Sequence, residues 1–433
     1  MNQKLSGTNI TNIALLAVCY MFYAFFDMRG LVILIAISLF AYMGGRFISG
    51  SVMEGEEHKA RMYCILFIAT LVGVLCYFKY FASVPLPVGI SFYMLMAIGF
   101  LADCLKGSFN DFPSPIEVMI FISFFPTILS GPILKARDFI PQISSRKRLD
   151  GKRLTTGIWL IAIGLFMKLC MADRLAVSVD KVFSSPLVYS GLTLFMTSVG
   201  YSLQLFFDFA GYSNMAIGAA TILGFDIPAN FNLPYMATNP SEFWNRWHIS
   251  LSSWLKEYVY IPLGGNRKGI RRTYINIMLV MTVSGLWHGS TANFLLWGML
   301  HGLGQMVHRA VCGNKKDANA NPVVRILSII LNFLFVNFLW IPFRIRTLSE
   351  TWIVIKRIFT LADGASYYYV YTFIFCIVLI IVQIIGAKRF GGNDPVRPLS
   401  FDSLGHRIIF CMLIIATAMF AYFGNSAFIY AQF

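Results

Sequence analysis

Long apolar runs alternate along this chain with short polar turns. Twelve runs are candidate membrane spans: Ile10–Phe26, Leu31–Ile48, Met62–Phe81, Val88–Leu105, Ile116–Leu129, Leu154–Met171, Leu192–Phe207, Tyr274–His288, Phe294–Val307, Val324–Pro342, Tyr368–Ile385 and Ile408–Phe423. Lipid offers no partner for a bare peptide group, so only helices or closed barrels span it. These runs are too long for barrel strands. Some are too short to cross a hydrocarbon core of about 30 Å at about 1.5 Å per residue, and so are re-entrant or tilted. The expectation is an all-α polytopic membrane protein, one domain over residues 1–433, with roughly eleven crossing helices.

The stretch Asn239–Trp297 breaks the monotony. Asn239 can cap a helix, Pro240 suits its first position, and Glu242 sits where a capping box puts its acid. Trp244, Trp247, His248, Leu251, Leu255 and Tyr258 share one helical face, which predicts an amphipathic helix over Trp244–Tyr258 with a histidine on its aromatic side. The helix ends before Pro262, and Gly264, Gly265 and Asn266 turn the chain. Arg267, Lys268, Arg271 and Arg272 follow, then an apolar run closed by His288. Entered from its basic end, that run rises about 21 Å as helix and leaves His288 inside the membrane. Ser284, Gly285, Gly289 and Ser290 surround it, permitting close helix approach or a cavity.

Composition strengthens the membrane reading. Of 433 residues 57% are hydrophobic and 13% charged, about half the charged share of soluble domains, and mean hydropathy is +0.67. The net charge of +15 does not indicate nucleic-acid binding, because the basic residues gather in short loops, the positive-inside pattern. Lys135–Arg153 holds seven of them and is the clearest cytoplasmic loop; Arg267–Arg272 is the next, and Arg309, Lys315 and Lys316 mark a third. The last two loops bracket a helical hairpin with His288 near its tip. Arg344–Arg357 and Lys388–Arg407 are both basic with one span between them, where the charge rule conflicts with the span count. The eight cysteines are scattered, without a CxxC, and read as small buried hydrophobes. The first apolar run, behind Lys4, reads as an uncleaved span.

Neither GxxxxGK[ST] nor GxGxxG occurs. His301 and His308, seven residues apart, are about 10.5 Å apart along a helix, too far to share a metal, and read as packing or interfacial groups. His58 and His406 read as solvated or boundary residues. An ionisable group at membrane depth is costly and marks function by default, which singles out His288. Burial keeps an imidazole neutral, the form a general base needs. His248 can orient His288 or bind substrate; for both histidines a structural role stands beside the functional one. Asp208 can pair with a histidine or a cation, or cap a helix. Arg246 can meet an anionic ligand or snorkel to the interface.

The segments SEFWNRWHISLSSWLKEYVYIPLGGNRKG and SGLWHGS resemble the membrane-bound O-acyltransferase family, in particular the membrane subunits of bacterial alginate, peptidoglycan and cellulose O-acetyltransferases. PVGISFY (Pro87–Tyr93), FFPTILSGPI (Phe124–Ile133), LQLFFDFAGYSNMAIG (Leu203–Gly218) and GNSAFIYAQF (Gly424–Phe433) resemble the same group, so the likeness runs over residues 87–433. It departs at Lys256-Glu257, where an arginine-aspartate pair is expected, and at Asn214, where an aspartate is common. The resemblance implies His288 as the catalytic histidine and His248 as the second in the site. Trp244, Arg246, Trp287 and Asp208 are the candidate substrate-binding residues. It implies a ring of helices about a central funnel, no bound cofactor or metal, and acetyl-CoA as acyl donor from the cytoplasm. It also implies an exported polysaccharide as acceptor, an extracytoplasmic acetyltransferase partner, and residence in the bacterial cytoplasmic membrane. The membrane subunit of teichoic-acid D-alanylation, which shares the WNRWH helix, ranks second. A transporter or channel lined by the histidines is the reading from another class.

Overall fold

The computed structural model describes residues 2–313, 321–367, 369–390, 401 and 403–424. Lys315, Lys316, Tyr368, the 391–400 part of the last basic segment and residues 425–433 of the closing motif lie outside them.

The described chain is mostly helical, with loops between the helices: α1 (Asn2–Phe26), α2 (Met28–Met53), α3 (Glu57–Cys76), α4 (Ile90–Leu105), α5 (Pro115–Ser123), α6 (Ala136–Ser144), α7 (Gly151–Phe166), α8 (Asp173–Phe183) and α9 (Gly191–Ile222) come first. The short α10 (Pro240–Arg246) and α11 (Ile249–Leu255) follow, then α12 (Gly269–His288), α13 (Ala292–Cys312), α14 (Pro322–Arg344), α15 (Leu348–Phe359), α16 (Val370–Phe390) and α17 (Leu404–Phe420). Among the described residues four helices are long and apolar enough to cross a membrane: Met28–Met53, Glu57–Phe81, Gly151–Phe183 and Pro322–Arg344. Shorter apolar helices are Ile10–Phe26, Ile90–Leu105, Val370–Ile381 and Leu404–Phe420. The predicted span Ile116–Leu129 is helical only to Ser123, and turns follow from Phe125 to Ser130.

The chain sorts into two compact units, residues 1–161 with 215–228, and residues 162–214 with 229–429, as far as they are described. In the first, Gly89 joins two of the motifs. Its φ of +71° belongs to the left-handed region, and a Cβ there would lie 2.2 Å from the Ile128 carbonyl oxygen. Only glycine fits both demands. Tyr23 donates to the Val88 carbonyl at 2.8 Å, and Val88 N–H donates to Asp27 at 3.1 Å, so PVGISFY is tied to the α1–α2 corner. The basic loop before α7 is held by acids and carbonyls of its own unit. Arg153 reaches Asp226 at 2.9 Å and the Phe225 carbonyl at 3.1 Å, and Lys147 also pairs with Asp226.

The second unit carries the histidine pair. Val182, Leu194, Ile341, Ile345, Val354 and Ile358 form one apolar core, contributed by α8, α9, α14 and α15. Helices α12 and α13 make the hairpin read from the charge pattern, with His288 at its tip. Their closest approach depends on two glycines. A Cβ at Gly285 would lie 2.3 Å from the Phe294 carbonyl oxygen, and one at Gly298 would lie 2.3 Å from that of Met281. Gly285, beside His288, thus serves close helix approach.

Candidate active site

The amphipathic helix expected over Trp244–Tyr258 is broken in two, and the break falls on His248. Here φ is +44° and ψ +54°, a left-handed conformation uncommon outside glycine. The cause is upstream. Phe231 and Trp247 form an antiparallel bridge, Asn232 N–H donates to the Arg246 carbonyl at 2.9 Å, and Ile249 N–H donates to the Asn230 carbonyl at 2.9 Å. This pairing pulls Trp247 extended, and the chain must reverse at His248 to begin α11. Past α11 the helix widens into a π turn over Lys256–Tyr260. Sequence periodicity reads straight through such a break, because it registers faces and not backbone hydrogen bonds.

The start of α10 follows the expected cap with one change of partner. Asn239 accepts from Glu242 N–H at 2.8 Å. The Glu242 carboxylate reaches back past it to the Thr238 amide and hydroxyl, both at 2.7 Å, and takes Arg246 at 2.7 Å.

Asn230, unmarked by any sequence signal, organises His248. Its side-chain oxygen accepts from Ser250 N–H at 3.3 Å and from the Ser250 hydroxyl at 2.6 Å, while its amide donates to Ser213 at 3.1 Å. A backbone N–H can only donate, so the oxygen is the atom facing this side. His248 Nδ1 lies 3.4 Å from the same oxygen. That geometry assigns the ring proton to Nδ1 and leaves the lone pair on Nε2. The His248 ring meets the edge of Phe209 at 4.6 Å and is fully buried.

His288 is the last residue of α12, followed by an extended Gly289. Its ring lies against Trp287 at 4.8 Å, Trp297 at 5.1 Å and Phe343 at 5.1 Å. The indole of Trp287 is also 6.1 Å from His248, so both histidines flank one tryptophan. Asn293 holds the start of α13 by donating to the Ile345 carbonyl at 2.5 Å and to Thr351 at 3.1 Å. His301 occupies an aromatic cage and accepts at Nδ1 from the Trp244 indole at 3.3 Å. It is fully buried, as a packing role requires.

A cavity of about 1030 Å³ lies alongside. Trp244, Leu255, Met281 and Ser284 line it, and Lys256, Arg309 and Arg325 supply cations; His308 is on its wall. Neither His248 nor His288 belongs to the lining, but Ser284 stands one helical turn before His288. Of the four substrate-binding candidates, Trp244 alone lines this cavity. Trp287 separates the histidines. Arg246 is engaged by Glu242 and by the Asn232 carbonyl at 3.3 Å. Asp208 pairs with a cation, the second of its three possible roles. Lys168 Nζ lies 2.7 Å from Asp208 and 2.8 Å from Asp173, all three buried. Lys168 sits in a π turn, Met167–Ala172, and was not singled out in the sequence.

The arrangement is two buried imidazoles around an indole, with a cavity one helical turn from His288 whose lining mixes apolar and polar residues, Glu242 and the cations Lys256, Arg309 and Arg325. Residues 18–348 match the family model described as MBOAT, membrane-bound O-acyltransferase family. The chain belongs to this family. It is therefore an O-acyltransferase. It is 33% identical over 377 residues to the protein named probable alginate O-acetylase AlgI of Pseudomonas aeruginosa, covering 82% of this chain and 71% of that one. Over 379 residues it is 33% identical to the peptidoglycan O-acetyltransferase of Helicobacter pylori, covering 77% and 71%. The teichoic acid D-alanyltransferase of Bacillus subtilis is 30% identical over 338 residues, covering 72% and 84%. Family membership decides against the transporter reading.

Proposed function

We propose that this O-acyltransferase moves an acetyl group from acetyl-CoA, bound on the cytoplasmic side, to hydroxyls of an exported polysaccharide, with His288 as general base. The observation that carries the reading is a cavity with cations in its lining that reaches Ser284, one helical turn before the buried His288. An anionic donor such as coenzyme A is attracted by Lys256, Arg309 and Arg325. Its thioester end suits the apolar part of the lining near Trp244 and Ser284. The relatives named for alginate and peptidoglycan O-acetylation support a polysaccharide acceptor. In this reading some eleven spans of the bacterial cytoplasmic membrane ring a funnel that donor and acceptor enter from opposite sides. A protein outside the membrane completes delivery to the glycan.

The acceptor hydroxyl oxygen attacks the thioester carbonyl carbon while its proton passes to the His288 imidazole. The tetrahedral intermediate collapses, the C–S bond breaks, and the coenzyme A thiolate leaves and takes the proton. A positioned base of this kind contributes about 10² to 10⁴ in rate. With its proton on Nδ1 toward Asn230, His248 offers a lone pair at Nε2. That leaves no Nε2 proton to donate to the carbonyl oxygen, and His248 bears on His288 through Trp287, which both rings touch.

The test is O-acetylation of the cell-surface glycan by wild type and His288→Ala at matched membrane abundance, with donor binding measured separately. We expect a loss of at least about 10² in transfer with donor binding retained. A well-expressed His288→Ala chain near wild-type rate would remove His288 from the mechanism. D-alanine in place of acetate on the glycan would favour the reading suggested by the teichoic acid relative.

A further inference from the structure

Hydroxyls within the helices of this protein follow a habit. Ser38, Ser123, Thr197 and Thr221 each donate at 2.7 Å to the carbonyl four residues earlier, and Thr70 does so at 2.9 Å. On α12 itself, Thr273 donates to Gly269 at 2.9 Å. This back-bond is the easy way to satisfy a helical hydroxyl. Ser284, on the same helix and 1% exposed, does not make it. Among the described residues its Oγ has no hydrogen-bond partner at all. A buried hydroxyl without a protein acceptor destabilises the fold that holds it.

The place where this hydroxyl is stranded is informative. Ser284 lines the cavity among Trp244, Leu255, Ile277, Val280 and Met281, all apolar or aromatic. The cations Lys256, Arg309 and Arg325 are on the same cavity. The lining also holds Glu242 and several amides and hydroxyls, but cations outnumber it, so a complementary ligand carries an anionic group, an apolar part and a hydrogen-bond acceptor for one hydroxyl. An acyl thioester on an anionic carrier has that chemistry, and its carbonyl oxygen is the acceptor. His288 is four residues further along, about 6 Å by helical rise. Side chains lean toward a helix's N-terminus, so the imidazole leans over the turn that holds Ser284.

We propose that Ser284 Oγ–H binds the carbonyl oxygen of the acyl donor and so sets the thioester within reach of His288. This rests on the donor assignment made above. The hydroxyl has no acceptor among the described residues and gains one in the donor carbonyl, so it favours the loaded state and adds little to the fold itself.

That asymmetry makes the test sharp. Purified full-length wild type, Ser284→Ala and Ser284→Thr are compared for thiol release from acetyl-CoA with a polysaccharide fragment present, and for thermal stability without donor. Ser284→Ala is expected to lose about tenfold in kcat/KM, the worth of one hydrogen bond near the top of its range, while its melting temperature holds or rises. Ser284→Thr keeps a hydroxyl and is expected to stay within about threefold of wild type. A Ser284→Ala chain within about twofold of wild type, or one that melts lower and loses activity only in proportion to the folded fraction, overturns the assignment. Should the alanine variant fail to accumulate, Ser284→Cys, with a weaker donor, carries the same expectation. Wild type that neither binds acetyl-CoA nor releases its thiol defeats the donor assignment itself; active wild type with equally active Ser284→Ala defeats the role of Ser284 alone.

Discussion

Gly285→Ala tests whether hairpin contact positions the His288 end of α12, where the proposed base stands. The added Cβ would lie 2.3 Å from the Phe294 carbonyl oxygen, where ordinary contacts begin near 3.4 Å, so about 1 Å of separation must be found. The obstructing atom is backbone and cannot rotate away. Overpacking of this kind costs about 1–3 kcal/mol. Alanine in place of glycine in a helix returns about 1 kcal/mol of propensity. The net stability loss is therefore small, about 0–2 kcal/mol. Activity is the more sensitive measure. His288 is three residues away, and a 1 Å displacement of a reacting group can cost about 10²-fold. The assay is acetyl transfer at matched membrane abundance beside thermal unfolding in detergent. Gly73→Ala on α3 is the control, because its Cβ would meet nothing within 4 Å. We expect Gly73→Ala to remain active, and Gly285→Ala to lose far more activity than its melting temperature explains. If the two variants match in rate and stability, the close approach does not position His288.

Two further perturbations follow from buried and half-buried charges. Lys168→Met strands Asp208 and Asp173 without their shared cation and is expected to destabilise by about 3–5 kcal/mol, read as a collapse of thermal stability; wild-type melting would mean the cluster is dispensable. Burial pushes the Glu242 carboxyl up, but the Thr238 amide and hydroxyl together with Arg246 outweigh it and hold it below its ordinary value of 4.5. The ionised form is thus the one the fold favours. Its contribution is complete above that value and is lost as pH falls through the lower folded one. Wild type is expected to lose more stability than Glu242→Gln between about pH 5 and pH 3, with no difference in slope between about pH 7 and pH 6; parallel curves throughout would refute a stabilising role for ionised Glu242.

Much of this protein was legible before any coordinates. Apolar runs longer than a strand dictate helices in lipid, because no other element satisfies the peptide groups there. Basic loops on both sides of one apolar pair announced the α12–α13 hairpin and put His288 at its tip. Asn239, Pro240 and Glu242 marked the start of α10, since capping chemistry is local and needs only neighbours in sequence. The tertiary structure decided the rest. Trp244–Tyr258 carries one continuous apolar face, yet His248 is a left-handed corner because Phe231 and Asn230, which no periodicity connects to it, pair with the residues on either side. Asp208 had three equal roles on paper, pairing with a histidine, pairing with a cation or capping a helix, and Lys168, forty residues earlier, took it. Ser284 looked like one more small residue beside a histidine. Its stranded hydroxyl appears only when the neighbouring helices are in place and leave it without an acceptor. Hydrophobic pattern and caps are set by residues within one or two turns of each other. The partner of a buried polar group is set by whichever distant segment packing brings within 3 Å, and that distance is not written in the local sequence.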